Sequence, residues 1–118
     1  MPAQRWRIRL GAQAERDLLS ILHWTAENFG VRQATNYRTT VIQTVHELAA
    51  GPEAAGARKR DDIAKGLYAL HVARHGRRGR HLLLYRVVGI RMIEIGRILH
   101  DSMDLRRHLP DAGEEDNT

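Results

Sequence analysis

The sequence predicts an α+β domain in which an N-terminal strand and an antiparallel helix hairpin pack on one face of a small antiparallel sheet, in the order β-α-α-β-β-β. Three observations carry this. Apolar residues alternate at the start of the chain, recur at three- and four-residue steps over residues 12–50, and return to strand-like runs over residues 67–99. Glycines (Gly11, Gly30, Gly51 and Gly66) stand where the pattern changes. The length, 118 residues, suits a single core.

Trp6, Ile8 and Leu10 alternate with Arg7 and Arg9, the period of a strand, and Gly11 breaks the run. Ala14, Leu18, Ile21, Leu22, Thr25 and Phe29 then line one side of a helix, with Glu15, Arg16 and Asp17 off it. Gly30 stops that helix. Ala34, Tyr37, Val41, Val45 and Leu48 form the stripe of a second helix, ended by Gly51 and Pro52. So short a link predicts an antiparallel pair.

Residues 53–65 lack periodicity and read as a loop. A second strand is expected over 67–73, a two-glycine turn over 75–80, and a nearly continuous apolar strand over 82–88. Gly89, Ile90 and Arg91 make a tight turn before the last strand, 92–99. Asp101 to Asp104 offers capping side chains for a short helical turn over 105–109, which Pro110 ends. Residues 1–110 are expected to form one domain, and 111–118 an acidic, disordered tail. With helices on one side only, the other face of the sheet is expected to lie bare. The partner of the first strand does not follow from the sequence.

The formal net charge is +5, with 17 Arg among the 19 basic residues. The last eight residues hold four acids and no base, so residues 1–110 carry 19 basic against 10 acidic side chains. Between Arg58 and Arg86 nine bases face only Asp61 and Asp62. Arginine's planar fork suits carboxylate and phosphate, so nucleic acid or an acidic protein is the expected kind of partner. There is no cysteine, hence neither disulfides nor thiolate metal sites. No apolar run approaches the ~20 residues of a membrane helix, and a bacterial cytoplasmic location without membrane contact is the simplest expectation.

Several chemistries lack support. Neither phosphate-loop nor dinucleotide fingerprint occurs, and no cofactor is expected. Ser102 has His100 and Asp101 beside it, but chain neighbours cannot all point at one reaction centre. His71, His75 and His81 sit among arginines that would repel a cation, so no metal site is expected.

Taken in order, several segments resemble the ParE toxins within the wider RelE/ParE superfamily of type II toxin–antitoxin systems. They are Ala14, Asp17 and Leu18 in the first helix, Phe29-Gly30 with Ala34 and Tyr37, and Leu48 through Gly51-Pro52. Gly66 through Val72, His81 through Tyr85, and Ile98-Leu-His-Asp-Ser-Met-Asp104 complete the set. The resemblance covers roughly residues 6–109 and implies a RelE/ParE-like fold. It implies a growth-inhibiting toxin of the kind associated with plasmid stabilisation, poisoning DNA gyrase without a catalytic residue and neutralised by a ParD-like antitoxin.

The RelE-like alternative is a ribosome-dependent mRNA endoribonuclease. Cutting RNA needs a base, an acid and cations converging on one phosphate, and Arg74, Tyr85, Arg97 and His100 are the candidates, with His71 and His81 in reserve. Each has a structural reading too. Tyr85 reads as a core aromatic with its hydroxyl tied off, His100 as a turn-fixing residue, and Arg97 as an inward-facing residue paired near Glu94 or with Asp104. Arg58, Lys59, Arg60 and His108 partly imitate the nuclease pattern; Met103 and Asp104 favour ParE. Candidates for antitoxin or target binding are Leu70, Arg74, Arg80, Leu83, Arg86, Met103 and Asp104. A third reading is a basic binding module without toxicity.

Overall fold

A computed structural model describes residues 5–109; the expected acidic tail lies outside the described residues. The elements are β1 (Arg7–Leu10), α1 (Ala12–Phe29), α2 (Val31–Glu47), β2 (Arg58–Lys59), β3 (Tyr68–His71), β4 (His81–Gly89) and β5 (Met92–His100), with 3-10 turns at Leu48–Ala50 and Leu105–His108. The five strands form one sheet in the order β1-β5-β4-β3-β2. The helix pair and the β3–β4–β5 meander follow the sequence pattern closely. β2 is a two-residue strand inside the segment expected to be a loop.

β1 supplies the pairing that the sequence withheld. It lies parallel to β5, Arg7 opposite Met92 and Leu10 opposite Ile95, so the sheet is mixed at this edge and antiparallel elsewhere. Gly11 then bonds the Ile95 carbonyl (2.9 Å) and the chain turns directly into α1. β5 continues past the end of β1, leaving backbone N–H groups on that side without a strand partner. Asp17, one turn into α1, fills the gap: its carboxylate accepts from Ile98 N–H (2.9 Å) and from Arg97 through Nε (2.8 Å) and Nη2 (3.0 Å). The partner of Arg97 is therefore Asp17; Asp104 instead caps its own 3-10 turn by accepting from Arg106 N–H.

Between helices and sheet lies the main core: Ala14, Val41 and Leu48 against Leu70, Val72, Leu83, Tyr85, Ile93, Ile95 and Ile98. Fully burying each large aliphatic contributes about 1.5–3 kcal/mol. At Gly30 the chain reverses with φ of 95°, a conformation glycine adopts without a Cβ penalty. Near this reversal the helices overhang the sheet. Leu19, Trp24, Phe29 and Val31 are all more than half exposed, so Phe29 ends the stripe in solvent rather than in the core.

The expectation of a bare second face is corrected at its centre. Leu67, Ala69, Leu84 and Leu99 are buried there beneath Ile63, Ala64, Met103, Leu105 and Leu109. No helix of eight or more residues is needed for this: a loop and a 3-10 turn carry enough aliphatic side chains to seal the middle of the sheet.

Candidate functional site: a groove beside the helix hairpin

The overhanging ends of α1 and α2 and the β3–β4 turn enclose an open groove of ≈ 830 Å³. Ile21, Trp24 and Phe29 form its apolar wall, with Trp24 and Phe29 packed edge to face at 5.6 Å. Tyr37, Arg78, Arg80, His81 and His100 form the polar side. His81 and His100 pair across β4 and β5. They share the helix-facing side of the sheet because Leu83 and Ile98, two residues along each strand, belong to the main core.

Close packing holds the polar side in place. Gly79 permits it: a Cβ there would lie 2.7 Å from the Tyr37 hydroxyl. That hydroxyl accepts from Arg80 N–H (3.3 Å) and shares a hydrogen bond with His81 Nδ1 (2.7 Å). Burial, reinforced by His100, pushes His81 down to about 4, and burial raises the Tyr37 pKa, so the pair is a neutral phenol bonded to a neutral imidazole. Asp101 accepts from Arg80 and from His71 Nε2 (2.9 Å), and these partners hold it down to about 2. Arg78 is exposed and has no ion pair among the described residues.

The nuclease candidates do not converge. Tyr85 is fully buried, stacks on Tyr68 and donates to the Pro52 carbonyl (2.7 Å); burial pushes its hydroxyl above the ordinary tyrosine range. Arg97 is occupied by Asp17. Arg74 and Arg77 both grip Glu47, tying the β3–β4 connection to the end of α2. Burial opposes the charge on Glu47, but the two guanidinium groups outweigh it and lower its pKa. His100 lines the groove, yet its Nδ1 accepts from Ser102 N–H and meets the Ser102 hydroxyl at 2.7 Å, fixing the turn after β5. Asp101 is bonded to Arg80 and His71 and comes no nearer than 3.6 Å to the same His100 Nδ1 that Ser102 meets, so these three neighbours form no relay. Among the described residues no group of three potential ligands could hold a metal ion.

The partner-binding candidates are also dispersed. Leu70 and Leu83 are completely buried in the main core, which removes them as contact residues in this fold. Met103 packs on the second cluster. Arg80 and His100 line the groove, whereas Arg86 lies on the opposite side of the sheet. Sequence reasoning missed Trp24 and Arg78. Trp24 falls off the apolar stripe of α1, and an exposed tryptophan at such a position was the available signal.

The structure has the fold of known toxin–antitoxin structures. A chain of the "Chromosomal ParDE TA system from P. aeruginosa" matches with a TM-score of 0.69 at 19% identity, over 83% of this chain and 98% of that one. A chain of the toxin–antitoxin complex RelBE2 from Mycobacterium tuberculosis matches with a TM-score of 0.55 at 20% identity, over 81% and 98%. The architecture is thus the α+β fold shared with chains of these two toxin–antitoxin structures. Residues 8–105 match the family described as the ParE toxin of the type II toxin–antitoxin system parDE. Toxin ParE1 of Caulobacter vibrioides is 35% identical over 86% of this chain and 95% of its own length. Toxin ParE1 of Mycobacterium tuberculosis is 33% identical over 87% and 97%. The chain belongs to the ParE toxin family. No helix among the described residues is long and apolar enough to cross a membrane.

Proposed function

We propose that this ParE-type toxin arrests growth by trapping DNA gyrase on cleaved DNA in the bacterial cytoplasm, and that a ParD-like antitoxin neutralises it. The observation that carries the non-nuclease part is the commitment of Tyr85, Arg97 and Arg74 to Pro52, Asp17 and Glu47. A side chain locked in a buried structural bond cannot also move a proton at an RNA ribose. Gyrase as the target is the expectation drawn from the ParE resemblance.

The groove is the proposed seat of the antitoxin. Its occupant would be an acidic, amphipathic segment, placing an aromatic or aliphatic anchor against Ile21, Trp24 and Phe29 and a carboxylate on Arg78. The excess of arginine over acid along the chain supports an acidic partner.

Purified gyrase, relaxed and supercoiled plasmid, ATP and this protein test the target. Inhibited supercoiling together with linear plasmid released by detergent and protease is expected. Unaffected gyrase would refute this reading, and normal growth on induction would favour the non-toxic binding module.

A further inference from the structure

The sheet face turned away from the helices carries a corner that neither the groove nor the core uses. Arg9 on β1 lies opposite Glu94 on β5, and Glu94 lies opposite Arg86 on β4. Arg7 stands two residues before Arg9, opposite Met92. All share the outer face, because the alternating residues Ile8, Leu10, Ile93, Ile95 and Tyr85 pack into the core beneath the helices. The aliphatic cover of the second cluster sits over Leu67, Ala69, Leu84 and Leu99. Among the described residues it leaves this corner open, with Arg7 exposed and the Arg9 side chain 55% exposed.

Among the described residues, three guanidinium groups here meet a single carboxylate. Glu94 accepts from Arg9 Nε at 3.0 Å. The side chains of Arg7 and Arg86 have no hydrogen bond or ion pair among the described residues, and Arg86 Nε is buried without an acceptor there. A buried donor without an acceptor is costly and calls for an explanation.

We infer that Arg7, Arg9 and Arg86 form a docking strip for the backbone phosphates of duplex DNA. Alternate side chains on one face of a strand stand ~6.8 Å apart and neighbouring strands ~4.8 Å. Phosphates along one DNA strand rise by ~3.4 Å each, so guanidinium groups at these spacings can reach successive phosphates. Arginine forks bind phosphate bidentately. An acidic peptide is the competing occupant, and Met92 with the exposed Ile90 are apolar contacts it would have near the corner. The strip reads no base edges, so the binding is independent of sequence and sensitive to salt. It lies on the outer face, whereas the groove lies on the helix side, so an occupant of one leaves the other open. The inference stands apart from the identity of the toxin's target.

Fluorescence anisotropy of a dye-labelled 20-base-pair duplex (~20 bp, a random sequence) titrated with the purified full chain tests it, from about 50 to 200 mM salt. Binding near ~10 μM at the lowest salt is expected, with a log–log salt slope of about −2 to −3. Replacing both exposed members, Arg7→Ala with Arg9→Ala, should weaken binding roughly tenfold or more and flatten the slope by about two. A charge-matched control, Arg32→Ala with Arg38→Ala on α2, should change it less than about twofold. Circular dichroism is the check that both variants stay folded. Equal weakening by the two variants would reduce the effect to net charge and overturn the inference. So would the absence of binding at low salt, or displacement by polyglutamate as effective as by unlabelled duplex.

Discussion

Asp17→Ala tests the joint between α1 and β5. The carboxylate accepts three hydrogen bonds, two from the Arg97 guanidinium and one from Ile98 N–H, at 2.8–3.0 Å. Its side chain is 16% exposed and that of Arg97 18% exposed, so water can replace only part of what is lost. Breaking a buried ion pair from one side costs about 3–5 kcal/mol. The residual exposure argues for the lower end, about 3 kcal/mol, or a fall in Tm of roughly 12 °C for a domain of this size. Urea unfolding of Asp17→Ala, Arg97→Ala and the double variant gives the coupling directly, and about 2 kcal/mol is expected for residues in contact. Asp17→Asn should fall between wild type and Asp17→Ala, since it keeps an acceptor for Ile98 while losing the charge. A cost below about 0.5 kcal/mol for Asp17→Ala, or additivity with Arg97→Ala, would refute the reasoning.

Other consequences follow from the same packing. Tyr85→Phe removes a buried hydroxyl and leaves the Pro52 carbonyl without its donor, so unfolding should show a loss of about 1 kcal/mol while toxicity on induction persists. His81 titrates at about 4 in the folded protein against an ordinary 6.5. The unfolded chain therefore binds the extra proton between those values, and stability should fall as pH drops from 6.5 to 4. In His81→Gln that slope should flatten, which thermal melts across the range will show. Asp101, lowered to about 2 from 3.8, contributes stability above pH 4 that is lost as pH falls further toward 2. Trp24→Asp should leave the melting temperature within a few degrees, because Trp24 is 57% exposed. It should nonetheless weaken binding of a cognate antitoxin segment by roughly 30-fold in calorimetry, the loss of one aromatic anchor worth ~2 kcal/mol.

The helices and the three main strands were legible because each buries one face, and burial imposes a period on the sequence. β1 was legible as a strand but not its neighbour: alternation fixes which side chains point inward, not which edge they join. The cover over the second face was illegible for a related reason. Ile63, Ala64, Met103, Leu105 and Leu109 reach it from irregular segments that show no period. Within the site, the structural readings of Tyr85 and Arg97 could be written from strand position, but the partner of Arg97 lies 80 residues away on α1. Ala14, Asp17 and Leu18 make sense only in three dimensions. Ala14 lets α1 approach the sheet, Asp17 closes the β5 edge, and Leu18 packs on the core. The groove escaped notice because its wall is built from the part of the helix hairpin that overhangs the sheet, where Phe29 continues an apolar stripe past the end of the core.

The central claim, a toxin that acts by binding gyrase rather than by cutting RNA, is tested most directly within one induced culture. Plasmid extracted with detergent and protease reports trapped gyrase, and primer extension on abundant messages reports ribosomal cleavage. Linear plasmid with unchanged message 5′ ends is the predicted result, for the wild type and for Tyr85→Phe alike. Intact plasmid with new 5′ ends inside translated regions, abolished by Tyr85→Phe, would contradict it.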